Sequence, residues 1–490
     1  IDSNFQNQAS KALINGLEEY DRRHGFRKPD NITQIFPEDF FQLPRTSKID
    51  QIEIALSLES DNYSYNEQNL AEVFRFLNKY SENKNRIVGV VSDLEKDLEV
   101  LVKSGELITI KWTEDLNWAR PYISENRRGP RPRSYADILE VGDIIWLKKD
   151  SITKQYSLTQ IPDVQSALIS VDPQSGSILA LVGGYDFYLS KFNRAEQASP
   201  LLGSNFKPFL YAAAFSNGFT PSSIINDAPI IFEDEVLEEK WRPRNASGKF
   251  FGLTRLREGL LQSRNLVSVR LLRELGVNKV RSYAEKFGFD KDRLPADLSL
   301  SLGTASLDPL RNAIAYSVFA NGGKKVEPFV INKILDRSGS IIFERNPKEH
   351  KEVIDPRVAF LINDILKEAA SRGTARRVSE LKRKDFAGKT GTTNRAESTW
   401  FTGYNEHIVT SVWVGFDQPR SLGDREFGSS IALPIWLDYK KQIIDEIPIS
   451  IELPPQGISS VKIDKDNGEL AKRDSKNLMF EYFLEENIPN

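Results

Sequence analysis

Two β-hairpin signatures stand far apart in this chain, and the stretch between them follows a mostly helical pattern. The first hairpin has apolar residues at 167–171 and 177–182, on either side of the turn Asp172-Pro173-Gln174-Ser175-Gly176. Residues of these types close tight connections between strands. The second joins 399–404 to 408–416 around Asn405-Glu406. Residues 207–370 lie between them, with Gly- and Pro-marked breaks in their helical periodicity. Strands at both ends with helices between them call for a sheet assembled from distant segments. That is an α+β domain, which we place at 161–445.

The flanking stretches differ in texture. Residues 86–91, 98–102 and 107–112 are short and strand-like, broken by turns such as Ser104-Gly105, and Val141-Gly142-Asp143 leads into Ile144-Ile145-Trp146-Leu147. Short strands at close intervals predict a small all-β domain over 86–160. Within it, 126–133 form a basic, proline-stiffened loop, read as solvated, with a docking surface as the alternative. Residues 1–85 are taken as a linker region. They hold one helical pattern through Ala12, Leu13, Leu17 and Tyr20, and another over 69–80 with Leu70, Val73, Phe74 and Leu77 on one face. Residues 446–490 read as a C-terminal extension with a strand at 459–463 and a polar tail. No apolar run approaches the roughly 18 to 20 residues of a membrane-spanning helix. Ile1 is not a natural initiator, so an anchor or another domain is expected ahead of it.

Composition narrows the chemistry. There is no cysteine, which removes thiol nucleophiles, disulfides and thiolate metal sites. The three histidines, His24, His350 and His407, leave little material for a Ser–His–Asp triad or a metal centre. Acyl chemistry here would therefore rest on a lysine or carboxylate base. A formal net charge of −3 gives no sign of a nucleic-acid partner.

Three short motifs occur in order: Ser204-Asn205-Phe206-Lys207, Ser263-Arg264-Asn265 and Lys389-Thr390-Gly391-Thr392. The S-x-x-K spelling alone is weak, since it also begins at Ser81, Ser151, Ser379 and Ser459. Context separates Ser204. It follows Gly203, and Lys207 opens Pro208-Phe209-Leu210-Tyr211-Ala212-Ala213-Ala214, a buried helix by composition. Proline is tolerated in a first helical turn, so the helix is expected to begin near Ser204. Residues three apart share a helix face, which sets Lys207 beneath the Ser204 hydroxyl. The helix start also leaves N–H groups free for an oxyanion. A free lysine titrates near about 10.4, but burial and a second cation, here Lys389, lower that value enough to make Lys207 a base.

Ser263 and Asn265 lie between two apolar stretches. A helix cap or turn is the plain reading; a proton relay by Ser263 to the leaving amine, with Asn265 holding substrate backbone, is the functional one. The literal Ser60-Asp61-Asn62 sits in a polar stretch ahead of the large domain and is discounted. Residues 386–393 read as a strand weakened by two glycines, which suits close approach by a peptide-like substrate. Lys389, Thr390 and Thr392 are then placed to bind a carboxylate across Gly391. The Thr392 N–H would complete an oxyanion hole with that of Ser204. An edge strand with a glycine bulge is the alternative.

With these motifs the chain resembles the class A penicillin-binding proteins, for which S-x-x-K, S-D-N and K-T-G are a signature set. The likeness continues through Phe192-Asn193-Arg194-Ala195, Trp241-Arg242-Pro243-Arg244-Asn245, Leu302-Gly303-Thr304-Ala305-Ser306, Phe319-Ala320-Asn321-Gly322-Gly323 and Trp400-Phe401-Thr402-Gly403-Tyr404. The small β-region resembles the OB-like accessory domain of 1A-type members from Gram-negative envelopes. The resemblance implies a penicillin-binding and serine β-lactamase-like fold and D,D-transpeptidation of peptidoglycan stem peptides, with trapping by β-lactams and no metal or organic cofactor. It also implies a periplasmic portion, anchored to the inner membrane by a segment absent here and lacking the family's glycosyltransferase domain. An envelope protein at the small β-domain is the further partner it suggests. Where relatives often have Arg-Gln-Pro ahead of Gly203, this chain has Pro200-Leu201-Leu202, a change in the cleft wall that touches no proposed catalytic position. The alternatives are a D,D-carboxypeptidase or β-lactam-hydrolysing relative, for which no water-activating carboxylate is found, and a penicillin-binding sensor without turnover.

Overall fold

Ala12, Leu13, Leu17 and Tyr20 line the buried side of helix α1 (Ser3–His24). In the computed structural model, which describes residues 1–37, 39–57, 65–83, 85–230, 241–346 and 350–489, two units follow from the contacts. One comprises Leu17–Asp163 and Asp186–Lys191; the other comprises Ile1–Gly16, Val164–Tyr185 and Phe192–Asn490. Ser60-Asp61-Asn62 lies outside the described residues.

The smaller unit contains helices α2 (Arg45–Leu56) and α3 (Tyr65–Leu77) and five strands: β1 (Arg86–Asp93), β2 (Leu98–Val102), β3 (Leu107–Ile110), β4 (Ile144–Lys149) and β5 (Tyr156–Thr159). They form one antiparallel sheet in the order β3-β2-β1-β4-β5. Every residue of β2 is buried, because both faces of the sheet are covered. Leu98, Val100 and Val102 join a core with Phe26, Leu116 and Tyr135. Leu101, Val88 and Val90 join a second core with Phe40, Ile52, Val73 and Leu77. Within the stretch 1–85, expected as a linker region, helices α2 and α3 thus pack on the sheet. The contact includes a buried charge: Lys48 Nζ lies 3.3 Å from Glu99, which also accepts from Arg45 at 2.6 Å and from Ser92 Oγ at 2.8 Å. A carboxylate taken out of water needs such partners. The basic loop forms only a short hairpin, Tyr122–Ser124 with Arg127–Arg128, and both arginines are exposed.

In the larger unit the two distant hairpins meet. Strands β6 (Gln165–Val171) and β7 (Ile178–Val182) come from the first, β9 (Ser398–Tyr404) and β10 (Val409–Gly415) from the second. With β8 (Ala387–Thr392) they build an antiparallel sheet ordered β8-β9-β10-β6-β7, where Val409 pairs with Val171 and Gly415 with Gln165. Between them run α4 (Lys207–Phe215), α5 (Leu256–Leu261), α6 (Asn265–Leu275), α7 (Pro309–Ala320) and α8 (Pro356–Arg372), and after them α9 (Ala432–Ile443). All nine residues of α4 are buried. Phe209 on it stacks on Phe319 of α7 at 5.5 Å and meets Phe287 and Phe289 edge-on, so the helix that carries Lys207 is anchored through Phe209 in a cluster of rings.

The C-terminal extension is less polar than its composition suggests. Strands β11 (Ile458–Asp464) and β12 (Leu478–Leu484) form a hairpin. Glu481 of β12 is buried against Arg257 of α5, at 2.5 and 2.8 Å, and against Arg255 at 3.3 Å. Arg257 reaches on to Asp364 and Glu368 of α8. Among the described residues no helix is long and apolar enough to cross a membrane.

Candidate active site

A short 3-10 turn, Gly203–Phe206, leads directly into α4, so the helical start expected near Ser204 is present as a tighter turn followed by α-helix. Gly203 has φ +54, and a Cβ there would stand 2.5 Å from the Thr392 carbonyl oxygen of β8. Its other side meets Gly303, whose carbonyl accepts from Gly203 N at 2.9 Å and whose own Cβ would lie 1.7 Å from the Gly203 oxygen. Two glycines therefore let three backbone segments touch, and this sets the Ser204 turn against the end of β8. The turn is braced from outside by Leu202 N bonding to Ala305 O and by Trp400 Nε1 bonding to Leu201 O at 2.8 Å. Of the Pro200-Leu201-Leu202 segment, Leu201 and Leu202 bond through their backbones while the Leu202 side chain is buried in the core.

Inside the turn, Asn205 is buried and holds the motifs together. Its Nδ2 donates to Lys389 O at 2.9 Å, and its Oδ1 accepts from Asn312 Nδ2 and Thr402 Oγ1, both at 3.1 Å. Asn312 also reaches Ser411 Oγ at 2.9 Å, and Tyr316 Oη donates to Asn205 O at 2.7 Å. This buried network ties the Ser204 turn to α7, β8, β9 and β10. Sequence reasoning passed over all five residues; the one signal was polar residues inside stretches otherwise apolar enough to be buried.

The three motifs converge. Lys207 Nζ donates to Ser263 O at 2.7 Å and Asn265 Oδ1 at 2.7 Å, with Ser263 Oγ at 3.3 Å. Lys389 Nζ donates to the same Ser263 Oγ at 2.9 Å and to Thr390 O at 2.8 Å. The Ser263 hydroxyl is thus shared by two fully buried lysines. Among the described residues the Ser204 hydroxyl has no hydrogen-bond partner, so Lys207 is joined to Ser263 and Asn265 rather than to the serine above it.

Ser263 occupies a strained position. Its φ of 56° is left-handed, and it ends α5: Ser263 N bonds to Leu260 O at 3.1 Å and Arg264 N to Gly259 O at 2.8 Å. This is the Schellman pair of bonds, in which the left-handed residue is usually glycine. A serine there costs backbone energy and directs a hydroxyl between the two amines. Asn265 then opens α6. Its Nδ2 donates to Arg244 O at 2.8 Å and its N–H to Asn245 Oδ1 at 2.8 Å, which gives the Trp241–Asn245 stretch a positioning task the sequence reading did not assign.

Electrostatics separate the two amines. Burial, then the charges of Lys389 and Arg264, push Lys207 well below the ordinary lysine range, against a weaker opposite pull from Asp227. Burial brings Lys389 down to about 7. Lys207 is thus the amine whose charged form is opposed both by burial and by neighbouring cations.

Strand β8 is an edge strand. Thr393 N bonds to Ser398 O across the ladder, so antiparallel alternation turns the Thr390 and Thr392 N–H groups away from β9, toward the open edge. The Thr390 hydroxyl donates to Thr374 Oγ1 at 2.9 Å, and Thr392 Oγ1 accepts from Gly428 N at 3.0 Å, which leaves the Thr392 proton to donate elsewhere. Gly391 lets Leu202 O approach to 2.7 Å of where its Cβ would stand. Thr374 and Gly428 carry no pattern that sequence reasoning could have picked out.

Residues 167–436 match the penicillin binding protein transpeptidase domain, and residues 57–164 match the penicillin-binding protein OB-like domain. The chain is similar to penicillin-binding protein 1A of Pseudomonas aeruginosa, at 38% identity over 100% of this chain and 61% of the relative. It is also similar to that of Vibrio cholerae, at 36% over 99% and 61%. It spans 61% of the length of these relatives. Among solved structures it is similar to penicillin-binding protein 1A from Haemophilus influenzae, with a TM-score of 0.82 and 31% identity over 100% of this chain and 72% of that one. The PonA1 protein from Mycobacterium tuberculosis, solved in complex with penicillin V, aligns at a TM-score of 0.51 and 25% identity, covering 60% of this chain and 81% of its own.

Proposed function

Since the chain belongs to the penicillin-binding protein transpeptidase family, we propose that it is a serine D,D-transpeptidase that cross-links peptidoglycan stem peptides and is acylated by β-lactams. The observation that carries this reading is the Ser263 hydroxyl shared by Lys207 and Lys389 beside the Ser204 turn and an open strand edge. In this reading 161–445 carry the chemistry and 86–160 an accessory role, in which an envelope protein is the partner. The larger protein sits in the bacterial periplasm, anchored by a segment outside this chain.

The donor peptide lies along β8, with its terminal carboxylate toward Thr390 and Thr392 and its backbone against Asn265. The Ser204 oxygen attacks the penultimate D-Ala carbonyl, and its proton passes to neutral Lys207. The oxyanion meets the N–H groups of Ser204 and Thr392, fixed in place before the charge develops. As the tetrahedral centre collapses, the amide C–N bond breaks and the leaving D-Ala nitrogen takes a proton through Ser263. An amine from a second stem then attacks the acyl-enzyme, yields a proton along the same path, and restores Ser204. Lys389 supplies the neighbouring charge that keeps Lys207 unprotonated. A β-lactam follows the first half, with ring opening in place of D-Ala release.

The test is incubation with labelled benzylpenicillin and mapping of the adduct by mass spectrometry. One adduct on Ser204, absent in Ser204→Ala, is expected. No adduct on the unsubstituted chain, or one on another residue, would sink the assignment.

A further inference from the structure

We propose that Arg264, packed over the ring of Phe251, is a binding site for an anionic substituent on the acyl side of the donor, separate from the terminal carboxylate at Thr390 and Thr392. The inference rests on the cleft reading above and adds a substrate class to it.

Arg264 stands between Ser263 and Asn265, whose side chains both reach Lys207. Its guanidinium carbon lies 3.3 Å from the centroid of the Phe251 ring, and Phe251 is 46% exposed. A ring face fixes the planar group in one orientation without occupying its N–H donors. Among the described residues the Arg264 side chain makes no hydrogen bond and no ion pair. The two carboxylates whose charges act on it are committed elsewhere: Asp227 accepts from Asn245 Nδ2 at 2.8 and 2.9 Å, and Glu258 accepts from Arg372 at 2.5 Å. Arg242 and Arg244, on the segment that positions Asn265, are also exposed and add to the positive rim.

A guanidinium with a fixed plane and free donors matches a carboxylate, which accepts two parallel hydrogen bonds. Its place next to Asn265 puts that carboxylate on the acylated half of the donor. The substrate class is therefore a stem peptide with a free side-chain carboxylate close to the reacting amide, or a β-lactam with a carboxylate on its acylamino side chain.

Three penicillins that differ only at one carbon provide the probe: benzylpenicillin, its α-carboxy derivative and its α-amino derivative. Acylation rates of the full chain are followed by intact-mass spectrometry. In Arg264→Gln the α-carboxy to benzyl ratio is expected to fall about fivefold, as a charge pair of this exposure allows, and the α-amino to benzyl ratio to rise. Phe251→Leu is expected to lower the α-carboxy ratio as well. If Arg264→Gln changes all three rates by one common factor, Arg264 acts only on the charge of Lys207 and the proposal is overturned. If the unsubstituted chain takes up no benzylpenicillin, the functional reading itself fails, which is a distinct result.

Discussion

Ser263 poses a conflict between stability and chemistry that two substitutions can separate. The residue ends α5 at φ 56° within a Schellman pair of bonds. A side chain in this region costs about 1–2 kcal/mol relative to glycine, whereas glycine carries an unfolded-state entropy penalty of about 0.5–1 kcal/mol. Both Ser263→Gly and Ser263→Ala remove the hydroxyl that accepts from Lys389 at 2.9 Å and Lys207 at 3.3 Å. That loss is common to the pair and cancels in the comparison. What remains favours glycine by about 1 kcal/mol, or about 1–2 °C in melting temperature for a unit of this size. Acylation moves the other way: both variants lose the relay hydroxyl and are expected to fall by about 10²–10⁴ in rate. The assay is thermal unfolding of the two proteins side by side, with benzylpenicillin acylation rates measured on the same samples. Equal stability of Ser263→Ala and Ser263→Gly would show that the turn stores no strain, and acylation retained by either would remove Ser263 from the proton path.

Further outcomes follow from the same geometry. Lys207→Met should lose acylation by about 10²-fold or more at neutral pH while still binding the unreacted β-lactam; unchanged rates would rule out its role as base. Acylation requires Lys207 neutral and Lys389 charged, so the rate should fall on the acid side as Lys207 takes a proton and on the alkaline side as Lys389 loses one near its value of about 7. A pH–rate profile of Lys389→Arg should lack the alkaline limb. Gly203→Ala forces a Cβ to 2.5 Å from Thr392 O at a positive φ, and should cost both stability and acylation, read by melting and by adduct formation. Lys440 of α9 is fully buried, with no hydrogen-bond partner for its Nζ among the described residues, and burial holds it well below the usual lysine range. The unfolded chain binds that proton and the folded chain does not, so stability rises with pH from the folded value up to about 10.4, the value of a free lysine. Lys440→Met should raise stability at pH 7 and flatten that slope in denaturant titrations.

Much of this was legible in residue order because it depends on local spacing. Ser204 and Lys207 three apart, the hairpins at 167–182 and 399–416, and the glycines around Lys389 each follow from helix or strand periodicity. What stayed hidden depends on partners brought from far away. Asn205, Asn312, Thr402 and Ser411 are polar residues within apolar stretches, and nothing local shows that one network joins all of them. The turn at Ser263 lacks the glycine that normally marks a Schellman end, so its left-handed geometry had no sequence signal. Residues 478–484 read as part of a polar tail because Glu481 interrupts them, and only Arg257, over two hundred positions earlier, makes that glutamate a core residue. Helices α2 and α3 were visible as patterns, yet nothing local showed that they would cover β2.

The assembly of the central sheet sets an order of events in time. Of this sheet, β6 and β7 are synthesised first, and β10, which must pair with β6, is made last. The roughly 240 residues between them take about 12–50 s to synthesise at about 5–20 residues per second. For that interval the β6–β7 hairpin has an open edge and apolar faces with no native partner, a state prone to wrong pairing. Ser204 and Lys207 are already made, but the strand they work against is not. A chain halted before residue 387 thus carries Ser204 and Lys207 without the strand they face, so on the function proposed above reactivity toward a β-lactam is expected only near the end of folding.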